Sequence, residues 1–255
     1  MSDVPFPYHR ISADLRSAIE TGELAPGARL PSEWALARRY GASRPTVRRA
    51  VAALKAEGLV VTEQGRGTFV RPLPPVRLTF TGANFRRHRR ERAPGFDAQV
   101  REQGRVPEQR LLDVRSLPAD AMVADRLQIA EGEPVMVRRR LFLVDQQAIA
   151  RCDSYYRASF VEGTALTRPA RIPGGAMSVI EDPDGPVDRR AHRSVDELTG
   201  RMPSPAEAQQ LGLSVGLPVV CILRTIYDDT GMPLELQETV AAADRHEFRY
   251  EVNLR

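Results

Sequence analysis

Residues 43–49 read Ser-Arg-Pro-Thr-Val-Arg-Arg, and residues 65–67 read Gly-Arg-Gly. Arginine carries a planar fork of donors that matches phosphate oxygens and the O6 and N7 acceptors of guanine. Arg44 and Arg48 stand one helical turn apart, so a single helix face can present both to base edges. Ser43 and Thr46 can bond phosphates beside them, as can the helix N-terminus itself, and Arg49 flanks the pair. Arg66 stands between Gly65 and Gly67, where a backbone without side chains can approach a minor groove closely. A second arginine pair, Arg138 and Arg140, sits two residues apart in a β-rich run. On a strand both would share one face and form an anion-catching pair. Taken singly, each feature is also what an ordinary solvated surface looks like, so the elements around them must decide.

The front of the chain reads as three helices and a hairpin. Ile11, Leu15, Ala18 and Ile19 recur at helical spacing from Tyr8 to Thr21. Pro26-Gly27 turns the chain, and Ser32 is a natural N-cap for a second helix carrying Leu36, Ala37 and Tyr40. Gly41 stops that helix, and Ser43 caps a third, from about Arg44 to Glu57, whose Val47, Ala50, Val51 and Leu54 face inward. Leu59–Thr62 and Thr68–Arg71 then form a hairpin with Arg66 at its tip. Two helices joined by a short turn, with the second studded with arginine and a wing behind it, have the form of a winged helix-turn-helix. The expected DNA contacts are Ser32, Ser43, Arg44, Thr46, Arg48, Arg49, Arg66 and Gly67.

Further on, strands are expected at Arg110–Ser116, Pro134–Val144, Ile149–Arg157, Arg189–Leu198, Pro218–Asp228 and Leu234–Ala242. Helices are expected at Ala119–Gln128, Ala176–Glu181 and Ser204–Leu211. Short turns join most of the strands, which implies an antiparallel sheet with a few covering helices, an α+β domain. The chain therefore divides into a winged head over 1–72, a basic connector over 73–94 and an α+β domain over 95–255. The connector opens on Leu73-Pro74-Pro75, just after Pro72, and holds Arg86-Arg87-His88-Arg89-Arg90-Glu91-Arg92.

Charge follows the same division. The net +4 conceals a +9 front over residues 1–110 and a −5 back over 111–255. All but one of the 37 basic residues are arginine, Lys55 being the exception. GC-rich codon usage is enough to explain that excess, but it leaves guanidinium groups to supply nearly all the positive charge. No apolar run is long enough to span a bilayer, and the start lacks a signal-peptide pattern, so the expected location is the cytoplasm. Cys152 and Cys221 lie too far apart in sequence for a thiolate zinc motif, and no cofactor or metal is expected. Cys152 and His192 with nearby carboxylates could make a nucleophile set, yet no nucleophile elbow, phosphate loop or dinucleotide fingerprint accompanies them. An enzyme is not the expectation.

Residues 6–71 resemble the winged helix-turn-helix head of the GntR transcriptional regulators. The matching stretches are Gly27-Ala28-Arg29-Leu30-Pro31-Ser32-Glu33, Ser43 through Ala50, and Gly65-Arg66-Gly67-Thr68-Phe69-Val70. The resemblance implies that Arg44 and Arg48 read DNA and that the wing tip enters the minor groove. It departs at Trp34, where many members carry a DNA-touching arginine; a tryptophan there could pack on the sugar-phosphate backbone or sit in the core. Residues from about 95 onward resemble the UTRA effector domain of the HutC branch, which is similar in fold to chorismate lyase. That resemblance rests on Gly104-Arg105-Val106-Pro107, Glu131-Gly132-Glu133-Pro134-Val135, Ala208 through Leu213, and Tyr227 through Glu235. It departs at Cys152-Asp153 and at Ala241-Ala242.

The resemblance implies a small-molecule effector, anionic if the arginine pair binds it, held by Arg138, Arg140, Tyr155 and Glu235. It also implies a homodimer on a palindromic operator. The expectation is a repressor released from double-stranded DNA by a metabolite, with the effect passing through residues 72–92.

Overall fold

The computed structural model describes residues 7–63, 65–71, 76–80, 95–213 and 216–251. One compact unit centres on residues 1–73, and another holds 74–213 and 218–255. The basic run Arg86–Arg92 and most of the expected connector lie outside the described residues.

In the first unit, α1 (Pro7–Glu20), α2 (Glu33–Tyr40) and α3 (Arg44–Ala56) pack around Ile11, Leu15, Leu36, Val47, Ala50 and Leu54. Both expected caps form: Ser32 Oγ accepts from Ala35 N at 3.1 Å, and Ser43 Oγ accepts from Thr46 N at 3.3 Å. Gly41 ends α2 with φ +60°, a left-handed conformation that costs glycine little, and its N–H closes on the Ala37 carbonyl. Only Ala42 then separates that stop from the Ser43 cap, which makes the turn tight. Strands β1 (Val60–Glu63) and β2 (Gly67–Val70) form the antiparallel hairpin. Residues 27–30 run alongside β2 with an isolated bridge from Arg29 to Phe69, through Val70 N to the Ala28 carbonyl and Leu30 N to the Thr68 carbonyl, both 2.8 Å.

The second unit is built on a six-stranded antiparallel sheet. Its strands are β4 (Pro107–Pro118), β5 (Pro134–Val144), β6 (Gln147–Arg157), β7 (Arg193–Arg201), β8 (Val219–Tyr227) and β9 (Pro233–Ala242), in the order β4-β5-β6-β9-β8-β7. One face of the sheet buries Val135, Val137, Tyr155 and Leu236 against α5 (Ala121–Leu127). The same face buries Leu141, Val219 and Val240 against α6 (Pro205–Leu211). The opposite face is covered by α4 (Gly95–Glu102) and by a separate two-stranded sheet. That small sheet pairs β3 (Val76–Phe80) with β10 (His246–Tyr250) in parallel. This pairing and α4 were not expected from the sequence. Two five-residue strands from near the two ends of the unit carry no local hairpin signal, because a parallel partner is never adjacent in the chain.

The seventh strand also shifts, from an expected Arg189–Leu198 to Arg193–Arg201. Arg189 N instead bonds the Ile180 carbonyl, and Asp188 takes a left-handed φ of +42°, so the chain turns there before it can pair.

Candidate functional site

The head brings Arg44 and Arg48 together on the exposed side of α3. Both turn toward Glu33 in the first turn of α2. Arg48 Nε lies 2.9 Å from Glu33 Oε2, and Arg44 Nη2 lies 3.5 Å from the same oxygen. Both guanidinium groups remain more than half exposed, so this is a weak surface bracket that holds them side by side. Ser43 and Thr46 lie at the same end of α3, their hydroxyls 2.8 Å apart.

Arg49 is placed differently. One residue on from Arg48 it is turned about 100° around the helix, and its guanidinium lies 4.1 Å from the Tyr8 ring centroid on α1. Ser32 caps α2 with its side chain. Trp34 is 62% exposed, which excludes the core position, and Arg38 lies over its ring. At the wing, Arg66 is exposed and sits 5.7 Å from the Phe69 ring centroid. Gly67 has φ +123°, and a Cβ there would fall 2.8 Å from Arg29 Nε. Arg29, part of the Gly27–Glu33 motif, is thus a neighbour of the wing that is not among the expected DNA contacts. The available signal was its position one before Leu30, which is 3% exposed, so strand alternation turns residue 29 outward.

The second unit contains a cavity of about 620 Å³ between the sheet and its α4/β3/β10 cover. Arg140 and Glu235 both line it. Arg140 Nη2 donates to Ser154 Oγ at 2.5 Å and approaches Cys152 Sγ at 3.6 Å, while its buried Nε donates to no described residue. Glu235 is 1% exposed and accepts from the Tyr156 hydroxyl at 2.5 Å. Two polar pairs, Arg140–Ser154 and Tyr156–Glu235, thus lie on three neighbouring strands. Burial, followed by the Glu235 charge, drives the Tyr156 hydroxyl far above its ordinary pKa, so it stays a donor. Gln237 and Thr239 continue the polar floor, and Phe96, Phe142 and Phe248 form apolar walls.

The structure does not group the four expected effector residues. Arg138 shares the Arg140 face, but its guanidinium is taken by three backbone carbonyls. Nη1 donates to Leu166 (2.9 Å) and Arg168 (2.7 Å), and Nη2 donates to Ala170 (2.7 Å). Arg138 is thus a clamp on the 165–170 loop. Tyr155 lies on the opposite face, buried among Val135, Val137 and Leu236 against α5, where burial lifts its hydroxyl pKa to about 12. The cross-strand register is the cause: Tyr155 pairs with Val137, whereas Cys152 pairs with Arg140 and Ser154 with Arg138. Tyr156, the next residue, is fully buried beneath the Arg140 face and reaches the cavity only through its hydrogen bond to Glu235. No cluster of metal-ligating side chains occurs among the described residues, and Cys152 and Cys221 are free thiols.

A helix-turn-helix with a wing, joined in one chain to a ligand-sized cavity, defines a class: DNA-binding transcriptional regulators with a sensor domain. Comparison with known proteins gives the family. Residues 7–70 match the bacterial regulatory proteins of the gntR family, and residues 102–247 match the UTRA domain. The chain belongs to the GntR family of transcriptional regulators and carries a UTRA domain. It is 33% identical to an uncharacterized HTH-type transcriptional regulator of Streptomyces coelicolor, over 91% of this chain and 87% of that one. It is 28% identical to the HTH-type transcriptional repressor NagR of Bacillus subtilis, over 96% and 94%. Among solved structures, PhnF from Mycobacterium smegmatis shares the fold at TM-score 0.60 and 22% identity, over 96% of this chain and all of that one.

Proposed function

We propose that this protein is an effector-released repressor: a homodimer whose two heads hold a palindromic operator until a small metabolite fills the cavity. The observation that carries the reading is the cavity floor. A part-buried guanidinium and a buried carboxylate held by one hydroxyl line the same cavity and form a binding surface that a ligand completes. The reading assigns an anionic group of the effector to Arg140 and a hydroxyl or ammonium donor to Glu235, with the apolar body against Phe96, Phe142 and Phe248. Arg44 and Arg48 read bases, Ser43 and Thr46 bond phosphates, and Arg66 enters the minor groove beside Gly67. Arg49 and Ser32 support the helices rather than contact bases. The repressor direction follows the name of the Bacillus relative. The domain limits 1–72, 73–94 and 95–255 belong to this reading, as do a cytoplasmic location and the lack of an enzymatic reaction.

A homodimer matches a two-fold operator, and the C-terminal sheets are the proposed pairing surface. The effector must bind the released arrangement more tightly than the DNA-bound one, or it shifts nothing. The test is a thermal-shift screen of metabolites on the whole chain, followed by DNA-release assays on the hits. A hit that stabilises the protein and frees DNA supports the reading. Hits that stabilise without changing DNA affinity overturn effector release.

A further inference from the structure

Arg29 packs against the wing without belonging to its tip. Residues 27–30 run along β2, with Gly27 N bonding the Val70 carbonyl at 3.1 Å and Leu30 N bonding the Thr68 carbonyl at 2.8 Å. Arg29 therefore bridges Phe69 across the strands. Leu30 goes into the core and Arg29 goes out, where it is exposed. Its guanidinium then folds over Gly67. From the point where a Cβ of residue 67 would stand, Nε is 2.8 Å away, Nη2 3.2 Å and Cζ 3.4 Å. The missing side chain at 67 is what leaves room for this planar group.

Its surroundings differ from those of four other head arginines. Arg44 and Arg48 have Glu33, Arg16 has Glu57, and Arg49 has the Tyr8 ring. Among the described residues Arg29 has neither an ion pair nor a side-chain hydrogen bond, so its N–H fork is unoccupied. A segment whose backbone is hydrogen-bonded to β2 places it, and its guanidinium packs over Gly67. Arg66 stands on the same turn, over the ring of Phe69, which is the bridge partner of Arg29. The wing thus carries two cations, one at the tip and one at the base of the turn.

We infer that Arg29 is a second phosphate-binding residue of the wing, holding the backbone of duplex DNA beside the groove that Arg66 enters. A contact to phosphate positions the protein without reading sequence. A planar fork of donors beside the wing suits that role, because it matches phosphate oxygens. The inference rests on the wing reading above, and the experiment separates the two.

Binding of the whole chain to a mixed-sequence 30-base-pair duplex is followed by fluorescence anisotropy across a potassium chloride series. Each phosphate contact contributes about 0.9 to the slope of log affinity against log salt. Arg29→Gln keeps the stem and planar head over Gly67 but removes the charge, so the slope should become shallower by about 0.9. Arg29→Lys should restore most of it. Arg66→Ala should also reduce the slope. An unchanged slope in Arg29→Gln with a reduced one in Arg66→Ala overturns the inference and leaves the wing reading intact. Unchanged slopes in both variants overturn both. An Arg29→Lys slope as shallow as that of Arg29→Gln assigns the effect to packing and also overturns it. Circular dichroism melts matching the parent keep folding out of the comparison.

Discussion

Glu33 bridges the two arginines assigned to base reading, and its carboxylate does two things at once. It holds Arg44 and Arg48 to one carboxylate oxygen, and it competes with DNA for their donors. Substituting either arginine by alanine should cost ~1–3 kcal/mol of specific binding on a selected operator, measured by anisotropy. Glu33→Gln should raise affinity for mixed-sequence DNA, since a competing charge is gone, and narrow the gap between operator and random duplex. An unchanged gap would show that Glu33 does not position the pair. In the cavity, Arg140→Gln should abolish stabilisation by any effector found in the screen while leaving operator affinity within about twofold. Loss of DNA binding instead would make Arg140 a structural residue. The placement of Arg138 changes its expected phenotype from that of its neighbour. Arg138→Ala removes three charge-assisted bonds to carbonyls, a loss on the order of 3 kcal/mol of stability, read in urea melts.

At the scale of elements, the small parallel sheet is the cover of the cavity, and it carries a pH signature. His246 opens β10, lines the cavity and lies 2.9 Å from the Ala242 carbonyl through Nδ1. Burial pushes its pKa down from 6.5 to about 4. The unfolded chain therefore takes up a proton that the folded chain refuses. This contribution to stability is fully present above pH 6.5 and is lost as pH falls from there toward 4. His246→Gln should flatten the melting temperature of the second unit across that window. If the variant and the parent lose stability in parallel from pH 6.5 to 4, His246 is not the cause. Glu207 behaves oppositely in origin: Arg201 holds it down at about 2, so its contribution is lost progressively as pH falls from 4.5 toward 2. The α6 capping box that Glu207 completes with Ser204 is therefore intact throughout the histidine window.

The whole molecule joins a basic front to an acidic back, and the proposed switch couples them thermodynamically. If the effector weakens operator binding by some factor, the operator must weaken effector binding by the same factor. Calorimetry of the identified effector against the free and the operator-bound protein checks this; equal affinities in both would exclude allosteric release. Binding at one hundred times Kd should add ~2.7 kcal/mol to the stability of the unit that holds the cavity. The operator should stabilise the head instead, so protection against proteolysis by the two ligands should map to different residues.

Much of the head was legible in the sequence, because its signals are local. Ser32, Gly41 and Ser43 act within a few residues of themselves, and those contacts define where the helices start, stop and turn. The alternation of β5 likewise placed Arg138 and Arg140 on one face. Tertiary structure decided the rest. Whether Tyr155 or Tyr156 joins that face depends on the register between β5 and β6, and a one-residue slip reverses the answer. Whether Arg138 or Arg140 meets a ligand depends on where the 165–170 loop lands, nearly thirty residues away, and that loop lands on Arg138. The cover of the cavity required two strands from near the ends of the unit to pair. No local pattern encodes such a contact, since parallel partners distant in the chain are selected by packing and not by the residues between them.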